Sequence, residues 1–262
     1  MKNTMRHILP AFVGILCCAT APAFATTLFF AGDSTLDDNR RKPHPPYASW
    51  GTELERHMKA GNKVDNHARS GESAKSFVED GYWTNMLARV APGDFVVIQF
   101  GHNDQKHSTD FYRTMRFTSV NGTYEEYYTR FAADVRARGA TPIFATSIVR
   151  GTFDESGRKL VDPRDETYGT NLRSYADAAV AVGRRLGVDV VDMNALTHRL
   201  LESVGRDEAM KFFVISTGMV RGKDGEPAKD VSHPIQAGAE AFAKLFLDDV
   251  KRRKLPVANL FR

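Results

Sequence analysis

The sequence predicts an α/β fold in which a parallel sheet of five strands is covered by helices on both faces. Short apolar runs alternate along the chain with longer stretches of helical character, which is the pattern of successive βαβ units. Three of the runs are continuous series of β-branched and aromatic residues, as expected for strands that are buried on both faces. Ligands of such a sheet bind beyond the carboxyl ends of the strands, so we expect a functional site at that edge.

The five predicted strands are apolar runs that lie between the helical stretches. The second run is the weakest of them. The strands are TLFFAG (27–32), KVDNHA (63–68), DFVVIQFG (94–101), TPIFATS (141–147) and VDVVDM (188–193).

Five stretches are predicted to be helical. The first carries Trp50, Leu54 and Met58 at spacings of four residues, which gives one apolar stripe. The fourth starts at Asn194, a residue type that favours helix N-caps, and the last ends on basic residues that suit the dipole of a helix C-terminus. The predicted helices span residues 47–59, 124–138, 168–186, 194–204 and 235–253.

The N-terminal segment, residues 1–25, has the pattern of a secretory signal peptide. It begins with basic residues, continues with an apolar run too short to cross a bilayer comfortably and ends in Ala23-Phe24-Ala25. Cleavage after Ala25 would leave residues 26–262, a length that suits one large α/β domain. A buried N-terminal helix is the alternative interpretation of this segment.

The cysteines also point to export without an anchor. Both of them, Cys17 and Cys18, lie in the N-terminal segment, so the mature chain would contain no disulfide. Leu16 is not the small residue that a bacterial lipoprotein anchor needs before its cysteine. We therefore expect a secreted or periplasmic bacterial protein with no membrane anchor.

The charge of the chain does not indicate a nucleic-acid partner. The formal net charge of +4 falls by two once Lys2 and Arg6 leave with the leader, which is near neutral for this size. The local run Arg40-Arg41-Lys42 is interpreted as a solvated loop, with a site for an acidic polymer as the alternative. We expect the protein to be a monomer.

Residues that could carry chemistry follow three of the predicted strands. Ser34 follows the first strand, Gly71 the second and Asn103 the third. Because the carboxyl ends of parallel strands share one edge, these residues should lie near one another. The sequence contains no G-x-S-x-G, so the nucleophile elbow of the α/β-hydrolases is absent. It also contains no P-loop and no G-x-G-x-x-G, so nucleotide binding lacks its usual support.

A serine needs a base to take its proton before it becomes a good nucleophile. His233 is the candidate base, because Asp230 three residues earlier can reach its Nδ1 while Nε2 faces Ser34. An aspartate that caps the following helix is the alternative interpretation of this D-x-x-H pattern. His102 is a competing base, although it is better interpreted as holding the turn around Asn103.

Ester hydrolysis also needs hydrogen-bond donors for the oxyanion. The backbone N–H groups of Ser34 and Gly71 and the side-chain amide of Asn103 would supply three. Glycine suits such a position, since a backbone donor in a tight turn often needs a positive φ and close approach by the substrate. An ordinary turn glycine and a loop-capping asparagine remain the alternatives.

A metal site is the other chemical alternative at this edge. Its ligands would be His102, Asp104, Asp230 and His233. These residues lack the histidine pair at i, i+4 and the cysteine spacing that mark zinc sites, so no metal and no cofactor are predicted.

Four blocks of the sequence resemble, in order, the four blocks of the SGNH (GDSL-type) hydrolases. They are AGDST, NHARSGESAKSF, PGDFVVIQFGHNDQ and DVSHPIQAGAEAFAKLF. Within that superfamily, SGESAKSF, QFGHNDQ and the tail LPVANLF look similar to the rhamnogalacturonan acetylesterase branch. The resemblance covers the chain from Thr27 to Phe261 and implies a flavodoxin-like, three-layer α/β/α fold that hydrolyses esters without a metal.

Carried over position by position, the resemblance implies roles for five residues. Ser34 becomes the nucleophile, His233 the base and Asp230 the acid that orients it. Ser34, Gly71 and Asn103 become the oxyanion donors. These roles agree with those that the residue types alone suggest.

Two features depart from the family pattern. Pro234 stands where an aromatic or aliphatic residue usually follows the histidine, so we expect the wall beside the base to differ. Residues 216–230 are this chain's own version of a variable loop next to the base, which leaves the polymer preference open.

The sequence thus predicts an exported carbohydrate O-acetylesterase. Its expected substrate is an acetylated plant cell-wall polysaccharide, with pectin (rhamnogalacturonan) first and acetylated xylan second. A GDSL-type lipase or thioesterase, which would need an apolar channel, and a non-catalytic sugar-binding protein, which would need a broken triad, are the alternatives. Tyr47, Tyr82 and Trp83 could stack on sugars or belong to the core.

Overall fold

The structure, a computed structural model, describes residues 25–37, 46–107, 115–222 and 224–262. The predicted signal peptide, apart from its last residue, and the basic run 40–42 lie outside the described residues. No helix in the described part of the chain is both long enough and apolar enough to cross a membrane.

The centre of the fold is a five-stranded, all-parallel sheet, which confirms the predicted fold class. The strand order is β2-β1-β3-β4-β5, so β1 and β3 lie at the middle of the sheet. Pairing is in register from Leu28 with Phe95 to Gly32 with Gln99 across the central pair. The strands are β1 (Thr27–Gly32), β2 (Lys63–Asn66), β3 (Phe95–Gln99), β4 (Thr141–Ala145) and β5 (Asp189–Val191).

β1 has the predicted bounds, whereas the other four strands are shorter than predicted, and at β2 a side chain accounts for the difference. β2 ends at Asn66, whose Oδ1 accepts the N–H of Ala68 at 3.0 Å. This asparagine turn is a local alternative to continued strand pairing. The Nδ2 of Asn66 donates to the carbonyl oxygen of Leu36 at 2.6 Å, so the end of β2 is tied to the loop that follows β1.

Helices cover both faces of the sheet. They are α1 (Trp50–Glu53), α2 (Ala74–Glu79), α3 (Tyr82–Leu87), α4 (Thr123–Ala137), α5 (Leu172–Leu186), α6 (Met193–Val204), α7 (Arg206–Met210) and α8 (Gln236–Arg252). The predicted first helix, 47–59, is only one turn of α-helix that continues as a 3-10 turn over Leu54–His57. The predicted helix from 168 begins instead at Leu172, because Asn171 caps it by accepting the N–H of Ser174.

Two apolar cores result from the alternation of side chains along the strands. Leu28 and Phe30 face one core together with residues of α1, α6 and α8. Phe29 and Ala31 face the other, with residues of α2, α3, α4 and α5. The sheet is therefore the middle of three layers, and the loops at its carboxyl edge are held between two packed faces.

Candidate active site

The hydroxyl of Ser34 lies in the turn directly after β1. Asp33 stabilises this turn, since its Oδ1 accepts both the N–H and the hydroxyl of Thr35, at 2.9 and 2.8 Å. The carbonyl of Asp33 accepts the N–H of Leu36 at 3.1 Å and closes the turn. Ser34 itself stays partly exposed, so the strand ends in a turn that presents one hydroxyl to the surface.

The structure brings Ser34, His233 and Asp230 into one chain of hydrogen bonds. The Oγ of Ser34 is 2.8 Å from Nε2 of His233, and Nδ1 of His233 is 2.8 Å from Oδ2 of Asp230. An ionised carboxylate oxygen can only accept, so Nδ1 carries the proton and Nε2 is left to accept the proton of the serine hydroxyl. This is the geometry that activates a serine.

The loop that carries the histidine is fixed on both sides. Oδ1 of Asp230 accepts the N–H groups of Ser232 and His233, both at 3.0 Å. Burial raises the pKa of Asp230, but the hydrogen bond and the charge of His233, together with these two N–H groups, outweigh it and hold the pKa below the usual value. Asp230 therefore stays ionised and can stabilise a protonated imidazole.

Pro234, the departure from the family pattern, is part of this frame. Its carbonyl accepts the N–H of Ala48 at 2.9 Å, and the residue forms a bridge with Phe213. Tyr47 directly precedes Ala48, and its ring meets the His233 ring edge-on with the centroids 5.5 Å apart. Pro234 lies before α8 rather than in its first turn, because the helix begins at Gln236.

Gly71 and Asn103 lie on two loops that touch each other. Gly71 has a φ of +88°, a conformation that side chains other than glycine rarely adopt, and a Cβ there would lie 3.3 Å from Nη2 of Arg116. Nδ2 of Asn103 donates to the carbonyl of Glu72 at 2.8 Å, which joins the two loops. Within the described part of the chain, the N–H groups of Ser34 and Gly71 have no acceptor.

His102 is not placed as the base. Its Nε2 lies 2.9 Å from the carbonyl oxygen of Ile148, and the ring is buried. Burial, with the nearby positive charges of Arg150 and His233, holds the pKa of His102 well below its ordinary value. The neutral ring therefore donates from Nε2 and ties the loop after β3 to the loop after β4.

The metal site considered from the sequence is not assembled. No group of three or more histidine, cysteine, aspartate or glutamate residues is placed to hold a metal ion in the described ranges. Asp230 is bound to His233, whereas Oδ1 of Asp104 accepts the N–H of Ala74.

Comparison with known proteins identifies the family. Residues 30–241 match the GDSL-like Lipase/Acylhydrolase family. The chain belongs to that family. It is therefore a serine-dependent ester hydrolase, as the sequence blocks predict.

Similar proteins of this family cover nearly the whole esterase. It is 36% identical over 233 residues to "Rhamnogalacturonan acetylesterase RhgT" of Bacillus subtilis (strain 168), an alignment that covers 88% of this chain and 92% of the relative. "Probable rhamnogalacturonan acetylesterase YesY" of the same organism is 26% identical over 238 residues, covering 90% of this chain and 97% of the relative. Axe2, an acetylxylan esterase from Geobacillus stearothermophilus, has the same fold, with a TM-score of 0.59 at 16% identity over 87% of this chain and 94% of that one.

A buried aspartate under the site, considered from the sequence only as a possible metal ligand, has a structural role in the esterase instead. Asp104 is fully buried, and its Oδ1 accepts the N–H of Ala74 at 3.0 Å and the hydroxyl of Thr118 at 2.9 Å. Ala74 begins α2, three residues after Gly71, so Asp104 ties the Gly71 loop to the Asn103 loop. The signal for it in the sequence was an aspartate within each of two site motifs, Asp33 in GDS and Asp104 in HND.

The proposed sugar-stacking aromatics divide between core and surface. Trp83 is buried and its Nε1 donates to Asp134 at 2.9 Å, so it belongs to the core of the esterase. Tyr82 is partly exposed and lies under the guanidinium of Arg69, 5.2 Å from the ring centroid. Tyr47 packs on His233, which makes it the aromatic of the three that lies in the site.

The burial of Asp104 predicts a stability that depends on pH. Burial, with the charge of nearby Asp33, raises the pKa of Asp104 to about 7. A carboxyl with a raised pKa in the folded state contributes its full stability below the unfolded pKa and loses it as the pH rises through the folded value. As the pH rises from about 4 to about 7, this group should lower the free energy of unfolding by on the order of 2–4 kcal/mol.

The asparagine of Asp104→Asn cannot ionise, so the variant should lack this fall in the free energy of unfolding as the pH rises. We expect the free energy of unfolding of the variant, measured by urea titration at pH 4.5 and pH 8, to differ less between the two conditions than that of the wild type. Asp248→Asn, at an exposed aspartate of α8, is the matched control and should keep the wild-type difference. An unchanged difference in Asp104→Asn would show that Asp104 is ionised across this range.

Proposed function

We propose that this esterase is an exported carbohydrate O-acetylesterase that removes acetyl groups from plant cell-wall polysaccharides. Acetylated rhamnogalacturonan is the first candidate substrate and acetylated xylan the second. The names of the relatives support this class of substrate, since two are rhamnogalacturonan acetylesterases by name and one structural neighbour is an acetylxylan esterase. The protein acts as a monomer, and residues 1–25 direct it to the periplasm or the medium.

The observation that carries the mechanism is the hydrogen-bonded chain from Ser34 through His233 to Asp230. Oγ of Ser34 attacks the carbonyl carbon of the acetyl ester while its proton passes to Nε2 of His233. The charge that forms on the carbonyl oxygen is held by the N–H groups of Ser34 and Gly71 and by Nδ2 of Asn103. Asp230 stabilises the imidazolium through Nδ1.

Collapse of the tetrahedral intermediate completes the first half of the reaction. The C–O bond to the sugar breaks, the imidazolium of His233 returns its proton to the sugar oxygen, and the acetyl group remains on Ser34. Water then attacks this acetyl ester, with His233 again taking a proton. Acetate leaves as the imidazolium of His233 returns a proton to Oγ of Ser34.

The bonds around Asn103 prepare it for this role. Its Oδ1 accepts from Nζ of Lys106 at 2.6 Å and its Nδ2 donates one hydrogen to Glu72. An amide nitrogen has two hydrogens, so one remains for the substrate oxygen. The ammonium group on Oδ1 also polarises the amide and strengthens the remaining donor.

Substrate and acyl-chain preference test the proposal. Acetate release from acetylated rhamnogalacturonan should exceed release from acetylated xylan and mannan. On p-nitrophenyl esters kcat/KM should fall from acetate to butyrate to octanoate, because each added CH₂ contributes only about 0.8 kcal/mol and does so only against an apolar wall. An octanoate ester that proved the best substrate would contradict the proposal and favour a lipase or thioesterase.

A further inference from the structure

Arg150 lies in the loop that follows β4, at the carboxyl edge of the sheet. Two residues before it, the carbonyl of Ile148 accepts from His102, which adjoins Asn103. Directly after it, the N–H of Gly151 donates to the carbonyl of Val231 at 2.8 Å, next to Asp230. The backbone thus holds Arg150 between the loop of the oxyanion donor and the loop of the catalytic base.

The guanidinium of Arg150 is partly buried beside a neutral partner. With the Gln105 amide oriented so that its oxygen faces the guanidinium, that oxygen accepts from Nη1 at 2.9 Å and from Nη2 at 2.6 Å. Arg150 forms no ion pair with a carboxylate in the described ranges. Asp162 and Asp33 act on it only as more distant charges, and burial, the larger effect, lowers the pKa of the guanidinium.

A partly desolvated cation that has no ion-pair partner among the described residues is unfavourable for the free protein. An anion that enters the site recovers that cost, so the position favours a negatively charged ligand. Lys106, whose Nζ lies on Asn103, adds a second positive charge to the same region, and both cations act on His102. The ligand must also carry the ester that reaches Ser34, which makes the anion part of the substrate.

We propose that Arg150 binds a carboxylate of the polysaccharide, so that the enzyme recognises a uronic acid unit at or next to the acetylated sugar. A planar guanidinium matches a carboxylate with two parallel N–H···O bonds, which a neutral sugar hydroxyl cannot reproduce. The inference rests on the proposed function, since it assigns the substrate of that same site. If Arg150 has this role, the enzyme prefers an acidic polymer over a neutral one.

The test compares two forms of one substrate, acetylated oligogalacturonate with free carboxylates and the same material as its methyl ester. We expect wild-type kcat/KM to be about 10- to 100-fold higher for the free carboxylates, the size of a charge-assisted hydrogen bond. Arg150→Gln should bring this ratio close to one, mainly through KM. Arg138→Gln removes the same charge at an exposed position at the end of α4, and should keep the wild-type ratio.

A competition experiment separates this inference from the proposed function. Deacetylated oligogalacturonate should inhibit p-nitrophenyl acetate hydrolysis by the wild type more strongly than its methyl ester does, and Arg150→Lys should lose part of this difference. Equal use of both substrate forms by the wild type, or an equal fall of kcat/KM on both forms in Arg150→Gln, would overturn the role of Arg150. If no acetylated polysaccharide released acetate but the competition difference persisted, the proposed function would fail while Arg150 remained a carboxylate site.

Discussion

Replacing Ser34 by alanine is expected to lower kcat on p-nitrophenyl acetate by about 10⁴- to 10⁶-fold. The variant loses the only oxygen that lies 2.8 Å from Nε2 of His233 in the described site, and with it the acetyl-enzyme route. The fold should persist, because the turn is held by Asp33 and Thr35 rather than by the serine hydroxyl. Initial rates and a thermal unfolding curve for the same preparation measure both effects.

Ser203→Ala is the matched control for this loss. Ser203 is exposed near the end of α6, and its hydroxyl donates to the carbonyl of Leu200 in its own helix. We expect wild-type rates from it. Activity within about tenfold of the wild type in a folded Ser34→Ala protein would be far too small a loss for a nucleophile and would remove Ser34 from that role.

Replacing His233 by alanine should have an effect of similar size, with kcat reduced by about 10³- to 10⁶-fold. The serine proton then has no acceptor, and the charge of Asp230 is left without its partner. The loss should appear mainly in kcat on p-nitrophenyl acetate, because His233 acts on the proton and not on substrate binding. Steady-state kinetics separate kcat from KM.

Two further histidine variants make this prediction specific. His198→Ala, at a residue of α6 that is 44% exposed in its side chain, should keep wild-type kcat. His102→Ala would remove a buried ring that joins two loops, so it should lower stability more than His233→Ala does. A His233→Ala enzyme that remained active while a folded His102→Ala enzyme did not would reverse the assignment of the base.

The strands were predictable because their signal is local. β1 spans the predicted residues, and β3 and β4 are short apolar runs that differ from the predicted ones only at their ends. The end of β2 depends on a side chain that bonds distant backbone, since Asn66 donates to the carbonyl of Leu36. Such bonds have no trace in a window of a few residues.

The missed helices are short. α2, α3 and α7 have six, six and five residues, too few to repeat an apolar stripe. The capping box of α2, in which Ser73 and Ser76 bond each other's backbone N–H groups, is visible in the structure and is not the usual Glu or Gln pattern. Packing against the sheet, rather than periodicity, determines these helices.

The site divides in the same way. The placement of Ser34, Gly71 and Asn103 was predictable because each follows a strand and the parallel sheet places the three strand ends at one edge. Asp104 was considered only as a ligand of a metal site and Arg150 was given no role, because a charged residue in a loop is ordinarily solvated. Their burial follows from contacts between segments far apart in sequence, such as the bond from Ala74 to Asp104 across 30 residues.

The most direct measurement of the central claim is the fate of the acetyl group of an acetylated rhamnogalacturonan oligosaccharide. An isotopically labelled acetyl substrate is mixed with the enzyme, the reaction is quenched in acid at short times, and peptides are analysed by mass spectrometry alongside acetate release. The account predicts labelled acetate, a transient labelled acetyl group on Ser34, and neither product with Ser34→Ala. Label on a different residue, or undiminished acetate release by Ser34→Ala, would contradict it.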